Sequence, residues 1–92
     1  MKLDIVTPDG ALFSGEITSI VVPGVNGAFE MLNNHAPIVA ILQAGTVRIK
    51  ADTFDIDETV KDKFEISNGE AVLQINSGTV EMKNNNVILL SE

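Results

Sequence analysis

The stretch SGTVEMKNNNVILLS, residues 77–91, is typical of a β-hairpin. Val80 and Met82 alternate with polar residues before a run of three asparagines, and Val87 and Leu89 follow that run at the same spacing of two residues. Because successive side chains of a strand point to opposite faces, each half of the stretch offers one apolar face to a core. Asparagine tolerates the backbone conformation of tight turns, so the turn is predicted at residues 84–86.

The same period of two residues recurs along most of the chain. The clearest further pairs are Leu3 and Ile5, Val47 and Ile49, Phe64 and Ile66, and Leu73 and Ile75. Turn-forming residues separate these runs at positions 8–10, 23–24, 26–27, 33–34, 44–45 and 68–69. Many short strands at this spacing predict an all-β protein, built as a sandwich or a barrel.

Size and composition restrict the classes of function. A chain of 92 residues has room for one domain. Its net charge of −7 argues against binding to nucleic acid or to anionic membrane surfaces, since both require clusters of Lys and Arg. With no cysteine and a single histidine, neither a metal site nor a cofactor is expected. No apolar run approaches the ~20 residues of a membrane span, and no signal peptide is recognisable, so a soluble cytoplasmic protein is predicted.

The segment from Asp52 to Asp62 departs from the alternating pattern because it is rich in carboxylates. It lacks the central glycine and the terminal glutamate, at fixed offsets, of a calcium-binding EF-hand loop. We therefore interpret residues 51–62 as an exposed acidic loop or irregular insertion rather than a cation site. A helical turn near Asp57–Lys61 is compatible with this interpretation.

Nothing in the sequence indicates catalysis. His35 has no Ser or Cys nucleophile with an orienting acid at nearby spacing, and a histidine before Ala-Pro can instead hold a turn or take part in an interface. The stretch Gly24–Gly27 lacks the third glycine and the following helix of a dinucleotide fingerprint. We predict a protein that is not an enzyme.

The run Ile38–Leu42 is apolar at every position, so both faces of a strand there would be apolar. A half-exposed antiparallel strand should instead alternate. Two explanations remain open at this point. Either the strand is buried on both sides in the core of the sandwich, or a partner protein covers one of its faces.

Several motifs, in order, resemble one protein family. They are Leu3–Pro8, Phe13–Glu16, Ile20–Gly24, Gly27–Pro37, Leu42–Gly45, Ser77–Met82 and Asn86–Leu90. Over residues 3–50 and 77–92 the chain is similar to the N-terminal domain of the F-type ATP synthase epsilon subunit. Glu30 and Asn33 stand where that family usually has Gly and Pro, and Thr79 stands where a second glycine is usual. Residues 51–76 are longer than the family norm.

The resemblance implies a flattened antiparallel β-sandwich that forms a single domain over residues 1–92. The two-helix C-terminal hairpin of many relatives is expected to be absent, and with it any ATP site. It also implies a central-stalk role, in which the domain couples ion translocation through the c-ring to ATP synthesis. The protein would then lie at the cytoplasmic face of the bacterial inner membrane, held there through the complex without inserting into the bilayer.

Two contact surfaces are implied residue by residue. The residues expected to bind the gamma subunit are Thr7, His35, Ile38, Ala40 and Leu42. The residues expected to meet the c-ring are Val25, Asn26, Gly27, Ala28, Phe29, Glu30 and Met31, with Glu30 the partner for a basic ring residue. The alternative hypothesis is a stand-alone acidic β-sandwich that binds some other protein.

Overall fold

A computed structural model describes all residues from 1 to 92 and shows an almost entirely β protein. The strands are β1 (Lys2–Thr7), β2 (Gly10–Glu16), β3 (Ser19–Gly24), β4 (Gly27–Leu32), β5 (Ile38–Leu42), β6 (Gly45–Lys50), β7 (Phe64–Ser67), β8 (Glu70–Ile75), β9 (Gly78–Lys83) and β10 (Asn86–Ser91). The one helical element is a 3-10 turn at Lys61–Lys63. The structure therefore holds no helix with the length and apolar character that crossing a bilayer requires.

The strands form one continuous hydrogen-bonded path that folds over into two layers. Its order is β2-β1-β10-β9-β5-β3-β6-β8-β7, with β4 paired to β3 off this path. Strands β5 and β3 meet at a single pair, Gly24 with Leu42, and the path turns there from the first layer to the second. This confirms the predicted β-sandwich. One pair of strands differs from the predicted antiparallel arrangement, since β1 and β10 run parallel to each other.

The core lies between the layers and is built from the inward-pointing alternate residues. It contains 21 buried hydrophobic residues, including both members of the pairs Leu3 and Ile5, Val80 and Met82, and Val87 and Leu89. Ile66 is the exception among the predicted core residues. It is 43% exposed because β7 is an edge strand at the end of the path.

Two of the predicted hairpin turns have the backbone that their sequences favour. Asn68 and Gly69 have φ angles of 51° and 76°, and Asn84 and Asn85 have φ angles of 52° and 61°. Two successive residues with positive φ match the right-handed twist of the strands that they join. The prediction for residues 23–24 was wrong, since Pro23 and Gly24 are buried inside β3 and the turn follows at Val25 and Asn26.

The acidic segment contacts the sandwich through its apolar side chains. The Phe54 ring lies against Phe13 of β2, with ring centroids 6.4 Å apart, and Ile56 and Val60 also pack on the core. The helical turn is shorter and later than predicted. Asp57 accepts a backbone hydrogen bond from Val60, and only Lys61–Lys63 are helical. That this segment is an insertion relative to the family stays a prediction.

Hydrogen bonds from Thr59 lower the pKa of Asp57. The carboxylate accepts the Thr59 backbone N–H at 2.9 Å and its hydroxyl at 2.8 Å. A carboxylate whose pKa is lowered by folding stabilises the native state at pH values above its ordinary pKa. This contribution is lost as the pH falls through the pKa of the folded state. Thr59→Val removes the hydroxyl, so we expect the pKa of Asp57 to rise part of the way back in a carboxyl NMR titration. Thr53→Val, in the same segment, should leave that pKa unchanged.

Gly78 begins β9 at a point where no larger residue fits. A Cβ atom there would overlap the backbone carbonyl of Leu90 in the neighbouring strand. We expect Gly78→Ala to lower the free energy of unfolding by about 1–3 kcal/mol, the usual cost of overpacking. Urea denaturation checks this, with Thr79→Ala as the control. If Gly78→Ala matched the control, the close approach of the two strands would be contradicted.

Candidate functional site

The outward face of β5 is open to solvent. Ile38 and Ala40 are partly buried against the core, and Leu42 is only 2% exposed. The residues between them point the other way, so that Val39 is 74% exposed and Ile41 is 64% exposed. The first explanation for this doubly apolar strand is therefore excluded for the free chain. One face of β5 packs inward, and the other is left for water or for a partner.

Strand register places Val39 and Ile41 in two rows of residues that cross the first layer. The apolar row runs from β2 to β5 through Ala11, Val6, Leu90, Thr79 and Ile41. The carboxylate row lies beside it and runs through Ser14, Asp4, Ile88, Glu81 and Val39. We call the two rows together the outer face. Strands about 4.8 Å apart make this five-strand face about 19 Å wide.

Shallow grooves extend the outer face at one end and along one side. A groove of about 510 Å³ lies between Thr7, Ile41, Ser77 and Leu90, at the end where β1 and β10 finish. A second groove, of about 430 Å³, lies between β5 and the β3–β4 turn. The Val25 backbone N–H donates to the Ile41 carbonyl at 3.1 Å and holds that turn against β5.

The outward face of the second layer is charged by comparison. Its central row runs through Glu65, Val72, Arg48, Val21 and Glu30. Arg48 also forms an ion pair with Glu70 at 3.2 Å. A contiguous exposed apolar surface is uncommon on monomeric soluble proteins and marks an interaction site, whereas a charged outward face is ordinary. The outer face of the first layer is therefore the candidate functional site.

Thr7 and His35 lie at opposite ends of the outer face rather than together. Thr7 ends β1, where its hydroxyl donates to the Gly10 carbonyl at 3.0 Å and supports the β1–β2 turn. His35 is exposed in the loop before β5, with Nδ1 2.8 Å from the Ala36 carbonyl oxygen. The Asn85 side chain of the β9–β10 turn accepts the Asn34 N–H at 2.7 Å and fixes that loop.

Leu42 is not where the resemblance placed it. We expected it on the gamma-facing surface, but its side chain points into the core, because Ile38, Ala40 and Leu42 share the inward parity of β5. The large hydrophobic residues that the first layer exposes are instead Val39, Ile41, Ile88 and Leu90. A signal for two of them was present. In the hairpin at 77–91, Ile88 and Leu90 are apolar at positions where alternation predicts polar residues.

The predicted c-ring residues lie along the β3–β4 turn and β4. Val25, Ala28 and Glu30 are exposed, and Phe29 is partly buried. Met31 is fully buried between the layers, which corrects its predicted surface position. Strand β4 pairs only with β3, so its other edge is free. No three His, Asp or Glu side chains come close enough together to hold a metal ion.

Comparisons with known proteins agree on the family to which this chain is similar. Residues 1–92 match the family described as ATP synthase, Delta/Epsilon chain, beta-sandwich domain. The ATP synthase epsilon chain of Chlorobium limicola is 42% identical over 91 residues, which cover 99% of this chain and 88% of that one. The epsilon chain of Leptospira interrogans serovar copenhageni is 34% identical over all 92 residues, and the match covers 61% of its length.

A solved structure has the same fold. A chain in the central stalk and c-ring structure of the Tetrahymena thermophila mitochondrial ATP synthase superposes with a TM-score of 0.72. The match covers 99% of this chain and 62% of that chain, at 15% sequence identity. At that identity the likeness concerns the fold alone.

Proposed function

Because this chain belongs to the delta/epsilon chain family of ATP synthases, we propose that it is a non-catalytic subunit of the central stalk. In this role it binds the gamma subunit with its outer face and meets the c-ring with the β3–β4 edge. The family match over the whole chain supports a place in the synthase. The outer face is the observation that supports the gamma contact, since it leaves Val39, Ile41, Ile88 and Leu90 exposed.

Binding to gamma would remove this apolar surface from water. Each Å² of apolar surface buried contributes roughly 25 cal/mol. In the apolar row, Leu90 on β10 and Ile41 on β5 are separated only by Thr79 on β9, so one partner surface can cover both. Thr7 and His35 mark the two ends of the contact. Ile38 and Ala40 lie at its side, where they support Val39 and Ile41 from within β5.

The c-ring contact uses a different part of the molecule. The β3–β4 turn, with Val25, Asn26 and Gly27 at its tip, projects from the side of β5, and Ala28 and Glu30 follow on β4. Glu30 forms no ion pair within the chain, so its carboxylate is free to meet a basic group of the ring. Phe29 packs behind it against the core.

A close-packed sandwich suits a mechanical role between two partners. Protein interiors have low compressibility and transmit strain, so force applied at one surface reaches the other without being absorbed. The domain would thereby couple ion translocation to ATP synthesis. It would be peripheral to the membrane, at the cytoplasmic face of a bacterial inner membrane, through its place in the complex.

Calorimetric titration of the chain against the gamma subunit of the same organism tests the proposal. We expect saturable binding with one chain per gamma subunit. Circular dichroism of both proteins shows that each is folded before the titration. If folded partners failed to bind, a stand-alone acidic β-sandwich that recognises another protein would replace the stalk role.

Glu30→Lys tests the c-ring contact. We expect this variant to bind purified c-ring in detergent about tenfold more weakly, because it sets a like charge against the basic group of the ring. Glu65→Lys is the matched control, since Glu65 lies in the same row at the far side of the second layer. Equal loss in the two variants would indicate an effect of net charge instead of a contact at Glu30.

A further inference from the structure

Two carboxylates are set into the apolar surface of the outer face. Asp4 on β1 and Glu81 on β9 pair in register with Ile88, one on each side of it. With strands about 4.8 Å apart, their Cα atoms are about 10 Å from each other. Neither carboxylate takes part in an ion pair or a side-chain hydrogen bond within the chain, and Asp4 is already half-buried.

The basic groups nearest to these carboxylates lie on one side only. Lys2 and Lys83 stand two residues away along the same strands and point to the same face. Neither comes within 4.0 Å of Asp4 or Glu81. Glu16, at the β2 end of that lysine row, is paired with the N-terminal amine at 3.2 Å. The outer face thus has a definite order of apolar row, carboxylate row and lysine row.

Covering this surface has an electrostatic consequence. A carboxylate that is removed from water without a partner loses its hydration at a large cost in free energy, which would offset much of the gain from burying Ile88 and its apolar neighbours. Within the chain, only Lys2 and Lys83 could compensate the charge of these carboxylates, and both lysines also lose water when the face is covered. The covering surface must therefore supply positive charge of its own.

We propose that the surface which covers the outer face carries two basic side chains, one opposite Asp4 and one opposite Glu81, on either side of an apolar hollow for Ile88. This inference rests on the proposed function and specifies the chemistry of the gamma surface that makes the contact. The one-sided lysine row also sets the orientation of the partner. A partner turned by half a rotation about the face normal would keep its basic groups over Asp4 and Glu81, but it would lay its apolar surface on Lys2 and Lys83.

The test compares neutral variants of similar shape. Asp4→Asn and Glu81→Gln remove the charges with little change in volume, and Glu65→Gln makes the same kind of change on the opposite layer. Each is titrated against the gamma subunit at low and at high salt. We expect Asp4→Asn and Glu81→Gln each to weaken binding about tenfold at low salt, and to reduce its salt dependence, while Glu65→Gln does neither.

An unchanged or increased affinity of the neutral variants for the gamma subunit would overturn the inference. If the gamma surface held no basic groups at these positions, neutralising Asp4 or Glu81 would lower the cost of desolvation, and binding would stay equal or become tighter. In that outcome the unaltered chain still binds gamma, so the proposed function survives. If the unaltered chain does not bind, the proposed function and this inference both fail. Unchanged thermal unfolding of the variants excludes misfolding as a cause.

Discussion

Leu42→Asp is expected to unfold the domain. The Leu42 side chain lies in the core at the point where the sheet path turns from the first layer to the second. Removing a buried leucine costs about 2–5 kcal/mol, and burying an unpaired carboxylate adds several kcal/mol more. Since small domains have total stabilities of roughly 5–15 kcal/mol, the sum approaches or exceeds what is available. Circular dichroism and urea denaturation measure the loss.

The adjacent residue provides the matched control. Ile41→Asp adds the same side chain one position earlier on β5, but on the exposed face, so the urea midpoint should change little. Leu42→Met keeps the volume and apolar character and should cost less than about 1.5 kcal/mol. A folded Leu42→Asp variant with an unchanged midpoint would show that the inward and outward faces of β5 have been assigned the wrong way round.

Combining Ile41→Asp with Leu90→Asp is expected to abolish binding to the gamma subunit while the domain stays folded. Both residues lie in the apolar row, separated only by Thr79. Each carboxylate would enter the contact without a partner. Hot-spot residues near the centre of an interface contribute about 2 kcal/mol or more each, so if both residues are hot spots the pair should weaken binding by at least a few hundredfold. Calorimetric titration against gamma measures the change.

Leu32→Asp is the control for this double variant. Leu32 is 54% exposed, and it lies at the end of β4 on the outward face of the second layer. The added charge is similar but lies away from the outer face, so binding to gamma should be preserved. Undiminished binding of the double variant, with Leu32→Asp also normal, would place the gamma contact elsewhere on the molecule.

Local patterns in the sequence were sufficient for most of the strands and their inward faces. The two-residue spacing of Val80 and Met82, and of Val87 and Leu89, predicted which side of each strand is buried. The Asn68-Gly69 and Asn84-Asn85 turns were equally readable. These features depend on neighbouring residues only. A polar and an apolar face distinguish the two sides of a strand, and asparagine and glycine tolerate positive φ.

The sequence did less well on β5, where both faces of the strand are apolar, and on β4. Within Ile38–Leu42 no polar residue indicates which parity points outward, so Leu42 was assigned to the surface. Met31 was assigned to an edge because its motif resembles a family loop, yet its parity on β4 points inward. In both cases burial depends on what lies across the sandwich, which is information that neighbouring residues do not carry.

By itself, then, the sequence determined that the chain is an all-β protein with its strands, its tight turns and most of its core residues, and its motifs indicated the family. Only the tertiary structure decided how the outer face is made. That face needs β10 beside β1, at the two ends of the chain, and β9 between β10 and β5. Such pairings join residues far apart in sequence, so their register follows from the packing of the whole sandwich and not from any local pattern.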